Sequence, residues 1–151
     1  MMKKNLFIAI YLIPFLAFSQ LSPQSKKITN NFFPDPDIEI STPAFAKKKG
    51  FTKYDEMMTF LNEKINDNSD EVKLEFVGES QKGKKIPILF FNRDNNTNKV
   101  KVFFQAGLHG NEPASTEGIL YLIDELLNNK KYDYLLDRIT LAIIPMANID
   151  G

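Results

Sequence analysis

His109 and Glu112, three residues apart, are the pair in this chain best suited to chemistry. His109 is the only histidine, and there is no cysteine. The pair lies in the run Gly107-Leu108-His109-Gly110-Asn111-Glu112-Pro113. Neutral imidazole and carboxylate are both zinc ligands, and a tight turn can bring the two onto one ion. Glycine on either side of His109 lets the backbone take unusual dihedrals and approach a ligand closely. Pro113 suits the first position of a helix, where its missing N–H would be unpaired anyway. Glu112 then falls at the helix N-cap or just before it, where the helix dipole favours a carboxylate. On spacing alone a second reading stands beside the metal site: a loop histidine next to an N-terminal helix acid.

The elements that must position the pair can be read on either side of it. Val100 to Ala106 is an apolar, strand-like run leading in. Ala114 to Leu127 reads as a helix leading out, with Ile119, Leu122, Ile123, Leu126 and Leu127 as its buried stripe. Asn128-Asn129 ends it, and Tyr132 to Asp137 is a short link. Ile139 to Ile144 is almost wholly apolar, as expected of a strand buried on both faces. Strand, helix and strand of this kind imply a crossover to a parallel neighbour. Ligands of such sheets gather at the carboxyl ends of the strands, and His109 and Asn148 both fall there. Further upstream, Thr52 is a candidate N-cap for a helix with Tyr54, Met57, Met58, Leu61 and Ile65 on its apolar face. Val72 to Val77 and Ile86 to Phe91 read as two strands of a hairpin. Their connector, Gly78 to Lys85, carries lysines that read as solvated. Arg93 to Asn98 is a polar turn.

Composition sets the outer bounds. The chain has 151 residues, 43% of them hydrophobic, enough for one domain or part of one. Nineteen basic and nineteen acidic residues cancel, so the charge balance offers nothing to a nucleic acid or an anionic membrane. The absence of cysteine excludes disulfides, thiolate zinc sites and cysteine nucleophiles. Residues 1–19 read as a signal peptide: Lys3 and Lys4, then an apolar run from Leu6 to Phe18, then Ala17-Phe18-Ser19 with cleavage expected after Ser19. The apolar run is shorter than the roughly 20 residues of a spanning helix, so no stable membrane insertion is expected after cleavage, and the product is expected to be periplasmic or secreted. Residues 20–50, punctuated by Pro23, Pro34, Pro36 and Pro43, read as an irregular segment.

The run Gly107-Leu108-His109-Gly110-Asn111-Glu112 resembles the first zinc-binding segment of the zinc metallocarboxypeptidases, the carboxypeptidase A/B superfamily. Ile144-Pro145-Met146-Ala147-Asn148-Ile149-Asp150-Gly151 resembles the strand-end segment that usually reads N-P-D-G in that family, with Ile149 in place of the proline. The stretch around Gly78 and Ser80 is similar to the hairpin that opens the catalytic domain. The resemblance runs from about residue 51 to 151. It implies an α/β fold with a mixed, largely parallel central sheet and helices on both faces. It also implies Zn2+ as cofactor, His109 and Glu112 as two of three protein ligands, and peptide or protein C-termini as substrate. The family's third ligand, its carboxylate-binding arginines and its general base all follow the N-P-D-G segment. Arg93 and Arg138 match none of the arginine motifs. The chain therefore reads as the N-terminal part of a catalytic domain (51–151), inactive by itself. Two other functions share the motif: a zinc-dependent N-acyl amino acid deacylase of the aspartoacylase/succinylglutamate desuccinylase type, and a non-catalytic remnant of the fold.

Overall fold

The computed structural model describes residues 25–34, 38–68, 70–91 and 98–151. The expected signal peptide, its cleavage point and Arg93 lie outside these residues. The chain divides into two compact units, Met1–Ile38 and Glu39–Gly151.

In the first unit, the irregular reading of residues 20–50 gives way to a helix, α1, at Lys26–Phe32. Ser25 supplies the start signal: its hydroxyl accepts from the Ile28 N–H at 3.4 Å, as an N-cap side chain does.

The second unit runs α2 (Tyr54–Asn66), β1 (Val72–Glu79), β2 (Lys85–Phe91), β3 (Val100–Gln105), α3 (Ala114–Asn128), a 3₁₀ turn (Lys130–Tyr132), α4 (Asp133–Leu136) and β4 (Ile139–Ile144). The four strands form one mixed sheet in the order β1-β2-β4-β3. β1 pairs with β2 and β2 with β4, both antiparallel, and β3 pairs with β4 in parallel. The expected α/β class with a mixed sheet holds. Its parallel part, within the described strands, is the β3–β4 pair expected of the crossover.

Alternation along the strands assigns the core to one face. Leu89 and Phe91 of β2 and Leu141 and Ile143 of β4 share a buried cluster with Met57, Phe60 and Leu61 of α2, Leu120, Ile123 and Leu126 of α3 and Leu136 of α4. The helices that share this core therefore all meet the same side of the sheet. β4 is central and its Ile143 and Ile144, on opposite faces, are both buried, as its apolar run predicts. β3 forms where expected but is the edge strand of the described sheet, so Val100, Phe103 and Phe104 stay exposed.

Three local expectations are corrected. Lys53, not Thr52, takes the N-cap position of α2, and its N–H is received by Glu56 Oε2 at 2.7 Å. Thr52 is unavailable because both its N–H and its hydroxyl are bonded to Glu117. The stripe of α3 is rotated: Thr116, Glu117, Leu120, Ile123 and Leu126 are buried, whereas Ile119, Leu122 and Leu127 are only partly so. Hydrophobicity leaves that rotation loose, because α3 has apolar residues beyond one face; the position of the sheet settles it. The lysines of the β1–β2 connector are not simply solvated, as described below. No helix among the described residues is long and apolar enough to cross a membrane.

Candidate metal centre

Because β3 and β4 are parallel, both end at the same edge of the sheet, and the ladder continues past them. Ala106 N–H donates to Ile144 O at 2.9 Å, Ala147 N–H to Ala106 O at 2.9 Å, and Asn148 N–H to Gly107 O at 2.8 Å. The segment that follows β4 is thereby laid along the turn that follows β3.

Gly107 starts that turn with φ +59°, in the left-handed region that favours glycine. A Cβ there would meet Thr116 Oγ1 at 2.8 Å and Met146 Cα at 3.1 Å. Its N–H donates to Ser115 Oγ at 3.0 Å, which ties the turn to the first residues of α3. Glu112 N–H donates back to His109 O at 3.1 Å and closes the turn. Pro113 holds helical dihedrals, φ −72° and ψ −17°, but takes the N-cap of α3, one position before the first helical position expected of it.

The two predicted ligands are brought together. His109 Nδ1 and Glu112 Oε2 are 2.9 Å apart. Both side chains are exposed, 63% and 67%, and face a cleft of about 540 Å³. Its lining also includes Phe51, Lys53, Tyr54, Lys84, Met146 and Gly151. Arg138 is not among the cleft residues. The pair suits zinc in donor type. Metal–ligand bonds of about 2.0–2.2 Å at a tetrahedral angle place two ligand atoms roughly 3.4 Å apart, so a small parting of the two side chains admits an ion. Among the described residues no third His, Cys, Asp or Glu joins them.

Residues that the sequence reading left aside hold the far wall. The β1–β2 loop reaches the segment after β4: Lys82 N–H donates to Asp150 Oδ2 at 2.9 Å, Lys82 Nζ to Asp150 O at 3.0 Å, and Lys84 Nζ to Ile149 O at 3.1 Å. Burial pushes the Asp150 carboxyl up in pKa. The Lys82 N–H, the Ser80 hydroxyl and the charges of Lys82 and Lys84 outweigh it and hold the group below its ordinary value. Glu117 secures another wall, accepting from Thr52 N–H at 2.7 Å and from the Thr52 hydroxyl at 2.8 Å. Nothing local marks these residues, since their partners are 65 to 68 positions away in the chain.

Comparison with known proteins bears on the same stretch. The family model described as zinc carboxypeptidase matches residues 57–151. The chain belongs to the zinc carboxypeptidase family. "Probable carboxypeptidase 2" of Arthroderma benhamiae is 30% identical over 130 residues, covering 74% of this chain and 25% of that protein. "Zinc carboxypeptidase" of Saccharothrix mutabilis subsp. capreolus is 31% identical over 127 residues, covering 79% of this chain and 29% of that protein. Carboxypeptidase A from Helicoverpa armigera shares the fold, with a TM-score of 0.65 at 23% identity, over 96% of this chain and 38% of that one. The chain thus spans about a quarter of the length of the curated relatives it matches. All three segments that carried the resemblance to zinc carboxypeptidases, around Gly78, His109 and Asn148, fall inside the matched region.

Proposed function

We propose that this chain supplies the first two zinc ligands, His109 and Glu112, of an exported metallocarboxypeptidase that hydrolyses C-terminal peptide bonds. The observation that carries the reading is the meeting of His109 Nδ1 and Glu112 Oε2, 2.9 Å apart in an open cleft at the carboxyl ends of two parallel strands. Membership of the zinc carboxypeptidase family supports zinc as the metal and peptide-bond hydrolysis as the reaction. In this reading residues 1–19 are a signal peptide removed on export and residues 51–151 are part of the catalytic domain.

Zinc held here supplies a Lewis acid for the scissile carbonyl and acidifies a bound water. The chain's own residues provide the mounting. His109 would bind zinc through an unprotonated nitrogen of its neutral imidazole. Glu112 brings a carboxylate from the start of α3, where the helix N-terminus favours negative charge. Gly107 and Gly110 keep side chains off the turn, so the ligands project into the cleft. Phe51 and Tyr54 form a wall against which a peptide can lie. His109 is the only histidine in the 151 residues, so a second imidazole ligand has to come from outside them.

The test uses the product of the complete reading frame. Zinc-loaded protein is expected to release single residues from the C-terminus of a peptide, followed by mass spectrometry, and to leave N-acyl amino acids intact. Chelation is expected to stop it and added zinc to restore it. His109→Ala is expected to lose zinc and at least about a hundredfold in activity, since it removes a ligand of the catalytic ion. Turnover of N-acyl amino acids in place of peptides, or peptide release indifferent to zinc and to His109→Ala, overturns the reading.

A further inference from the structure

The β1–β2 loop, which contributes no ligand to the candidate site, is bonded to the strand-end segment on which the ligand turn rests. Three bonds join them, all to residues 149 and 150: Lys82 N–H to Asp150 Oδ2, Lys82 Nζ to Asp150 O, and Lys84 Nζ to Ile149 O. Lys84 Nζ also stands 5.2 Å from the centroid of the Tyr54 ring, on the cleft wall. The next residue, Gly151, is in direct backbone contact with the ligand turn. A Cβ on Gly110 would lie 2.4 Å from Gly151 Cα, and a Cβ on Gly151 would lie 2.6 Å from Gly110 Cα. Gly110 is the neighbour of His109. Asn148 N–H to Gly107 O, at 2.8 Å, fixes the other end of the same contact. The turn bearing His109 and Glu112 is therefore seated on residues 148–151, and the one side chain of that segment that bonds the β1–β2 loop in these contacts is Asp150, beside the Lys82 and Lys84 ammonium groups on its backbone carbonyls.

We infer that Asp150 is a positioning residue of the metal centre, which holds residues 148–151 against the β1–β2 loop so that Gly151 backs Gly110 and sets where His109 and Glu112 point. The inference rests on the zinc reading above. Of the three bonds only the one from Lys82 N–H is made to the Asp150 carboxylate; the two lysine ammonium groups donate to the backbone carbonyls of Asp150 and Ile149, and none of them touches His109 or Glu112. Loss of a group bonded directly to a ligand commonly costs about 10- to 100-fold in metal affinity; Asp150 acts one contact further out, through Gly151 and Gly110, which sets the expectation at the low end of that range. Asp150 touches neither metal nor substrate in this assignment, so it acts on affinity and ligand geometry rather than on chemistry.

Zinc affinity by chelator competition and the visible absorption of the cobalt-substituted protein test this in the product of the complete reading frame. Asp150→Ala is expected to weaken zinc about tenfold and to shift the cobalt bands. Asp150→Asn keeps an oxygen acceptor for the Lys82 N–H and is expected to stay within about threefold of the parent, a rescue that separates positioning from bulk stability. Should circular dichroism show Asp150→Ala unfolded, Lys82→Met takes its place: it removes the Nζ bond to Asp150 O and the charge beside the Asp150 carboxylate, leaves the Lys82 N–H bond to Oδ2, and must weaken zinc in the same direction. Unchanged zinc affinity and cobalt bands in the folded variant overturn the inference. His109→Ala serves as the control. If it binds zinc as the parent does, the zinc reading falls and takes this inference with it; if it loses zinc while Asp150→Ala does not, only the inference falls.

Discussion

Two glycines of the same strand–turn–helix unit are under opposite constraints. Gly107 has φ +59° and its missing Cβ would meet Thr116 Oγ1 at 2.8 Å. Gly118 lies in α3 with nothing within 4 Å of where a Cβ would be. Gly107→Ala is therefore expected to lower stability by at least about 1 kcal/mol from the left-handed backbone alone, with the clash adding to it. Gly118→Ala is expected to raise it by about 0.5–1 kcal/mol, because a helical alanine loses less chain entropy than glycine. Chemical denaturation of the two variants checks both signs. That Gly107 would be constrained is legible in its place beside His109. That Gly118 would be free is not, since an open helical glycine and a close-packed one look alike in a sequence.

At the scale of elements, the cleft wall at residues 51–54 is tied to the helix α3 through Glu117. Glu117, nearly buried, spends both carboxylate oxygens on Thr52. Glu117→Ala leaves the Thr52 N–H and hydroxyl without their partner and is expected to cost about 1–3 kcal/mol. Thermal unfolding measures the loss, and proteolysis within residues 47–53 should become faster, since the anchor of that segment is gone. The pairing of helix α3 with strands β3 and β4 was predictable from apolar periodicity. The rotation of α3 about its axis was not. A sequence read for hydrophobicity does not place a glutamate at a buried position, because its burial depends on a threonine 65 residues earlier.

Across the whole second unit, Asp124 ties three parts of the chain together, accepting from Ser41 and pairing with Lys64 of α2 while Asn128 donates to it at 2.5 Å. Burial raises its pKa, but Lys64, Ser41 and Asn128 together outweigh that and leave it lowered. A carboxyl with a depressed folded pKa contributes stability that is complete above its unfolded value and is lost as pH falls through the folded one. Urea midpoints between pH 6 and pH 2 are expected to fall more steeply for the parent than for Asp124→Asn. A second property of the unit is the edge strand β3, where Phe103 is 56% and Val100 66% exposed. Among the described strands β3 pairs with β4 alone, and an apolar edge of this kind invites pairing between molecules. Phe103→Lys is expected to raise the monomer fraction of this chain in size-exclusion chromatography without moving its unfolding midpoint by more than about 0.5 kcal/mol.

The chemistry of the chain was set by local features. His109 and Glu112, the glycines beside them, Pro113 and the apolar runs before and after lie within a few residues of one another, so their relations are written in spacing. The strand–turn–helix–strand order followed from the same runs, because hydrophobic periodicity is local. Tertiary structure alone supplied the rest: that Lys82 and Lys84 hold Asp150 and Ile149, that Gly151 backs Gly110, that Glu117 is buried on Thr52, and which side of α3 meets the sheet. Each of these joins residues or elements distant in the chain through one hydrogen bond or one van der Waals contact. Such a contact leaves no periodic trace in the sequence and exists only once the sheet has brought its partners together.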